Sequence, residues 1–228
     1  MEANKMIELA EFEEGNPVNK EREKFNRRNE AILYHGDAVG AVFIGDSITA
    51  YWDIDSYFKH SEGKRLINRG VSDDYSMYCR RRFEADALQL NPELIILSVG
   101  VNNTKPLSEA ADSDAAAGII RQVVTDIRAM IQASKNRDID IVITSVTSIN
   151  RPHTDLQGIR QDAIKEINRQ LTELAAEEEI QFLNYYDVMM VDDRLDPDLT
   201  IDGLHPHVKG YDKMADVLTE QVKRIELQ

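Results

Sequence analysis

Short apolar runs alternate along this chain with longer stretches in which apolar residues return every three or four positions. Ala41–Ile44, Arg65–Asn68, Leu94–Val99, Ile139–Thr144 and Gln181–Asn184 have the length of strands. The segments LIILSV and IDIVIT show little polar alternation, as expected of strands covered on both faces. Thr49–His60, Ser76–Leu90, Asp112–Ala133, Asp155–Glu179 and Val208–Leu227 carry the helical period, and a charged helix over Pro17–His35 precedes the first strand. Strands alternating with helices imply right-handed crossovers and a three-layer α/β/α fold around a five-stranded parallel sheet. We read one domain over 1–228, with 1–36 as a helical extension packed on it.

In such sheets, sites form beyond the carboxyl ends of the strands, where strand order reverses. The polar residues sit where that rule requires. The first strand runs into Gly45-Asp46-Ser47, the second into Asn68–Asp74, and the third into Gly100–Asn103. The fourth leads to Thr144–His153, and a long loop after the fifth carries Thr200–His207 into the last helix. Loops far apart in sequence thus bring a serine, asparagines, an aspartate and a histidine to one edge.

Composition narrows the class. A chain of 228 residues with 42% hydrophobic and 30% charged residues can bury a full core. Its net charge of −14 argues against nucleic acid and anionic membranes, both of which select clustered Lys and Arg. The opening MEANKMIELAEFEEG lacks the pattern of a secretory leader, and no apolar run is long enough to span a bilayer, so a cytoplasmic address is expected. A single cysteine, Cys79, allows no internal disulfide. Whether the chain forms a homo-oligomer stays open.

Asp202 and His205 stand three residues apart, a spacing that sets a carboxylate beside an imidazole. A serine hydroxyl attacks well only when a neighbouring base removes its proton. The base in turn needs a carboxylate to hold its tautomer. Ser47, His205 and Asp202 supply the three roles. The backbone N–H of Ser47, an N–H in the turn after Gly70 and the amide of Asn102 are candidate donors to an oxyanion. Asp46, Asn103 and His153 are candidates to line the pocket, and the expected partner is a small acyl ester.

Three blocks, Gly45-Asp46-Ser47-Ile48, Gly100-Val101-Asn102-Asn103 and Asp202-Gly203-Leu204-His205, resemble the GDSL/SGNH serine hydrolases in type and order. The resemblance runs from about Val42 to the C-terminus. It implies a flavodoxin-like sheet, a Ser–His–Asp triad and hydrolysis of acyl esters or thioesters with neither metal nor organic cofactor. The Asn-Asn form of the third block is similar to the branch holding platelet-activating-factor acetylhydrolase subunits and bacterial sugar-ester esterases. One block departs: Gly70-Val71-Ser72-Asp73-Asp74-Tyr75 places Asp73 where the family has a glycine donating an oxyanion N–H. The expected activity is hydrolysis of short acyl esters, acetyl foremost, on a sugar or similar alcohol. The rivals are a lysophospholipase or thioesterase for long chains, and a non-catalytic binding protein of the same fold.

Blander expectations stand beside these. The turn at Asp46-Ser47 also reads as a helix cap. Arg80, Arg81 and Arg82 read as a solvated helix face, and Cys79 as a half-buried helix residue. His35 and His60 read as helix-end residues, and DDRLDPDL as a solvated loop rather than a metal site.

Overall fold

The computed structural model describes residues 6–108, 113–151 and 158–228. The central sheet is built from β1 (Val39–Gly45), β3 (Arg65–Gly70), β4 (Leu94–Ser98), β5 (Asp140–Thr144) and β6 (Gln181–Leu183). Its order is β3-β1-β4-β5-β6, with every pairing parallel. Successive crossovers therefore run one way from β1 to β3 and the other way from β4 onward. The order reverses at the carboxyl ends of β1 and β4, where a site is expected.

Helices cover both faces, which is why the strands are apolar throughout. Phe43, Ile44, Ile95, Leu97 and Ile143 are all at most 1% exposed. The long helices are α4 (Ser76–Asp86), α5 (Ser113–Lys135), α6 (Ile159–Glu177) and α8 (Val208–Gln221). The N-terminal helix α1 (Val18–His35) packs against α4 and the turn that follows it, burying Phe25, Asn29 and Ile32. Its last turn closes on Gly36 in the left-handed conformation, whose N–H bonds the Ile32 carbonyl.

Local expectations are corrected at several points. The helix expected over Thr49–His60 is instead α2 (Ser47–Ala50), α3 (Ile54–Tyr57) and a strand, β2 (Phe58–His60). Asn68 explains the break: its side-chain amide donates to the carbonyls of Thr49 (2.8 Å) and Trp52 (2.9 Å), groups a continuous helix would use internally. The helix expected to reach Leu227 stops at Gln221, because β9 (Ile225–Leu227) pairs antiparallel with β2. His60 consequently lies in a strand, buried, beside Glu93.

The stretch after α7 (Tyr185–Val188) is not an open loop. It forms a hairpin of β7 (Met190–Val191) and β8 (Arg194–Leu195), with Asp192 and Asp193 both left-handed at its tip. The arginine run, finally, is split. Arg80 and Arg81 are exposed and pair with Asp126 and Glu13. Cys79 and Arg82 are fully buried instead.

Arg82 was expected on a solvated face and is the clearest departure. The buried stripe of α4 contains Cys79, Arg82, Phe83 and Asp86, so Arg82 points inward by helical phase. Its guanidinium meets Asp74 (2.8 Å), Asp86 (3.1 Å) and the Gly45 carbonyl (3.0 Å). A buried charge is tolerable only when paired and hydrogen-bonded in this way.

Candidate active site

The site begins where β1 ends. Gly45 lies so close to β4 that a Cβ built on it would stand 1.9 Å from the Ser98 carbonyl oxygen. No larger residue fits that approach. Asp46 then leaves the strand in extended conformation, and its Oδ1 accepts the Ile48 N–H at 3.0 Å, starting α2. Ser47 is therefore the first residue of a helix, where the backbone N–H has no intrahelical acceptor. The turn is thus both a cap and a mount for a hydroxyl.

The carboxylate and imidazole arrive on the loop before α8. Asp202 Oδ1 accepts the backbone N–H groups of Leu204 (3.1 Å) and His205 (2.9 Å), folding the Asp-x-x-His segment into a tight turn. Thr200 closes the loop from below, its hydroxyl donating to the His205 carbonyl at 2.8 Å. Asp202 Oδ2 lies 2.9 Å from His205 Nδ1, and His205 Nε2 lies 2.9 Å from Ser47 Oγ. The hydroxyl, imidazole and carboxylate thus form one unbroken chain, with Ser47 only 3% exposed.

Burial by itself would raise the Asp202 carboxyl. Hydrogen bonds from the His205 backbone and ring, and the charge of Arg151, outweigh it and hold the group down at about 2. Arg151 grips this residue twice, through Nε to the Asp202 carbonyl (2.9 Å) and through its terminal nitrogen to Oδ2.

The loops that carry the oxyanion candidates are held by a different set of ties. The Val71 N–H bonds the Gly45 carbonyl at 2.9 Å, and Arg82 holds the same carbonyl. Gly70 is forced by contact as well, since a Cβ there would sit 2.1 Å from the Ala50 nitrogen. Asn102 is buried, and its side-chain amide donates to the Asp74 carbonyl at 3.0 Å. Asn102 is thereby joined to the turn that carries Asp73. Asp73 adopts a left-handed φ of 62°, a conformation glycine prefers but aspartate tolerates. Its side chain is 68% exposed and pairs with Lys105, pointing away from the buried turn.

The pocket candidates fare differently. Asp46 and Asn103 face inward. Asp46 accepts backbone N–H groups of Ile48 and Gly100, tying the β1 turn to the β4 turn. Burial pushes its carboxyl up to about 7, against the pull of those donors. Asn103 accepts the Ser76 N–H (3.0 Å) and donates to the Ser76 hydroxyl (2.9 Å), anchoring the start of α4. His153 lies outside the described residues. Sequence reasoning missed Arg82 with its two aspartates, and Arg151. Helical phase could have found Arg82; no spacing signal marks Arg151.

Tyr51, at the end of α2, is 57% exposed, and its ring packs tilted against His205 with centroids 5.1 Å apart. Beyond it opens a cleft of about 480 Å³ between α1 and the loops after β1 and β3. Among the described residues, no group of three or more His, Cys, Asp or Glu could hold a metal ion. No described helix is long and apolar enough to cross a membrane.

The parallel sheet and the polar cluster at its carboxyl edge are those of an α/β ester hydrolase. The model of the GDSL-like lipase/acylhydrolase family matches residues 43–213, and the chain belongs to that family. Solved structures share its fold. A GDSL-like lipase from Bacteroides thetaiotaomicron superposes with a TM-score of 0.71 at 24% identity, over 88% of this chain and 96% of that one. A catalytic mutant of an acetylxylan esterase from Geobacillus stearothermophilus superposes with a TM-score of 0.64 at 16% identity, over 81% and 94%. No curated protein matches significantly.

Proposed function

We propose that this protein is a serine esterase that removes short acyl groups, acetyl foremost, from a hydroxyl-rich alcohol such as a sugar. The observation that carries the reading is the 2.9 Å contact between Ser47 Oγ and His205 Nε2, continued to Asp202 at 2.9 Å. In this reading His205 takes the Ser47 proton as the oxygen attacks the ester carbonyl, and Asp202 stabilises the imidazolium. The negative oxygen of the tetrahedral intermediate receives the N–H groups of Ser47 and Asp73 and the Asn102 amide. His205 then protonates the departing alcohol. Water repeats the sequence on the acyl-enzyme and frees the acid.

The cleft beside the site is lined mainly by charged and polar side chains, which suits a polar, hydroxyl-bearing substrate. The acetylxylan esterase among the structural neighbours agrees with an acetylated carbohydrate. Rates on p-nitrophenyl acetate and p-nitrophenyl octanoate test the acyl preference. We expect acetate to be turned over at least tenfold more efficiently, and a preference for octanoate would transfer the protein to the lysophospholipase or thioesterase reading.

A further inference from the structure

We infer that the cleft beside Tyr51, walled by α1, is the binding site for the alcohol half of the ester, and that it selects an uncharged, hydroxyl-rich alcohol of saccharide type. The inference rests on the esterase reading for its chemistry and extends it to a part of the chain outside the matched family region, since α1 precedes residue 43.

The first argument is position. The departing alcohol oxygen must come within hydrogen-bonding reach of His205 Nε2 to be protonated. Tyr51 flanks that ring at 5.1 Å and also lines the cleft, as do Ser72 and Asp73 of the turn bearing the oxyanion donor. A leaving group that clears His205 therefore passes over Tyr51 into this space.

The second argument is the chemistry of the walls. Lys20, Lys24 and Arg28 repeat at intervals of four on α1 and all face the cleft. At 1.5 Å per residue they form a row of donors about 12 Å long. Lys24 is bonded to Glu21 at 2.6 Å, whereas Lys20 and Arg28 have no ion-pair partner among the described residues. Across from them stand the exposed carboxylates of Asp53 and Asp55, together with Asp73. With Glu21 on the first wall, three cations face four carboxylates, so the cleft has little net charge and exerts no strong pull on a ligand of single charge. These groups suit a ligand whose every hydroxyl both donates and accepts. The exposed ring of Tyr51 adds the flat apolar surface on which the C–H face of a sugar ring rests.

The test is calorimetric binding of mono-O-acetyl cellobiose to the Ser47→Ala protein, which cannot be acylated. The substitutions Lys20→Ala with Arg28→Ala, and separately Tyr51→Ala, lie at exposed positions. Each is expected to raise Kd at least fivefold, and Tyr51→Trp is expected to return it to within twofold of the parent. Failure of the acetylated disaccharide to bind, or a Kd unmoved by both sets of changes, overturns the assignment. Reaction of the Ser47 protein with a fluorophosphonate is measured in parallel. Cleft-dependent binding without that reaction removes the catalytic reading and leaves the cleft standing as a saccharide-binding site alone. Reaction without cleft-dependent binding does the reverse.

Discussion

Asp202→Asn separates the catalytic use proposed for this carboxylate from its structural use. The wild-type group accepts at both oxygens, Oδ1 from two backbone N–H groups and Oδ2 from the His205 ring and Arg151. An amide has only one acceptor oxygen. With that oxygen kept on the backbone donors, the NH2 faces Nδ1 of His205, and the ring must present a lone pair there and carry its proton on Nε2. In that tautomer the ring cannot take the proton from Ser47, 2.9 Å away. The expected loss in kcat is about 10³- to 10⁴-fold, or about 4 to 5.5 kcal/mol of transition-state stabilisation. The stability cost is far smaller, because the carboxylate is 39% exposed and its ion pairs are screened. We expect about 1 kcal/mol, a fall in Tm of a few degrees. The assay is initial-rate hydrolysis of p-nitrophenyl acetate with thermal melts on the same preparations. A folded variant with less than a tenfold loss in kcat would refute the tautomer argument.

Three further outcomes follow from the geometry. Asp73→Gly relieves a left-handed aspartate and removes its exposed ion pair with Lys105, so turnover of p-nitrophenyl acetate, whose leaving group makes no saccharide contact in the cleft, is expected to hold or rise; a tenfold fall in kcat would show that the carboxylate itself serves the chemistry. Asn102→Ala removes a buried donor and is expected to cost about 10²- to 10³-fold in kcat, measured with the same ester, and retention of more than half the rate would exclude Asn102 from the oxyanion site. Asp46 is held near 7 by burial against an ordinary value of 3.8, so the folded state binds its proton more tightly than the unfolded chain. Its contribution to stability therefore falls as pH rises from about 4 to 7 and is constant above. Urea unfolding of Asp46→Asn and wild type at pH 5 and pH 8 is expected to show the difference moving by about 2 kcal/mol in favour of the variant at the higher pH, and an unmoved difference would contradict the buried charge.

Much of the architecture was legible because the strands are buried on both faces. Runs such as Leu94–Ser98 have no polar alternation, and all five core strands lie where the apolar runs predict them. The fragments around Thr49–His60 were not legible, because the side chain that ends the helix, Asn68, belongs to another strand. The same holds for β9, whose pairing with β2 joins segments more than 160 residues apart.

At the candidate site, the contact among Ser47, Asp202 and His205 could be anticipated because a serine, a carboxylate and an imidazole all follow strand ends in the sequence. What supports them was harder to see. Arg82 sits among neighbours that read as a basic surface, and only the phase of α4 turns it toward Asp74 and Gly45. Asp46 and Asn103 carry the same polar side chains as pocket residues. The Asp46 cap on Ile48 is legible, but its tie to the Gly100 N–H and the tie of Asn103 to the Ser76 N–H come from other loops that no spacing along the chain reveals.

The most direct test of the central claim is intact-mass and peptide mapping after treatment with a fluorophosphonate. The account predicts one adduct, on Ser47, absent from Ser47→Ala and formed far more slowly in His205→Ala. A folded protein that takes no adduct, or takes it on another serine, would contradict it.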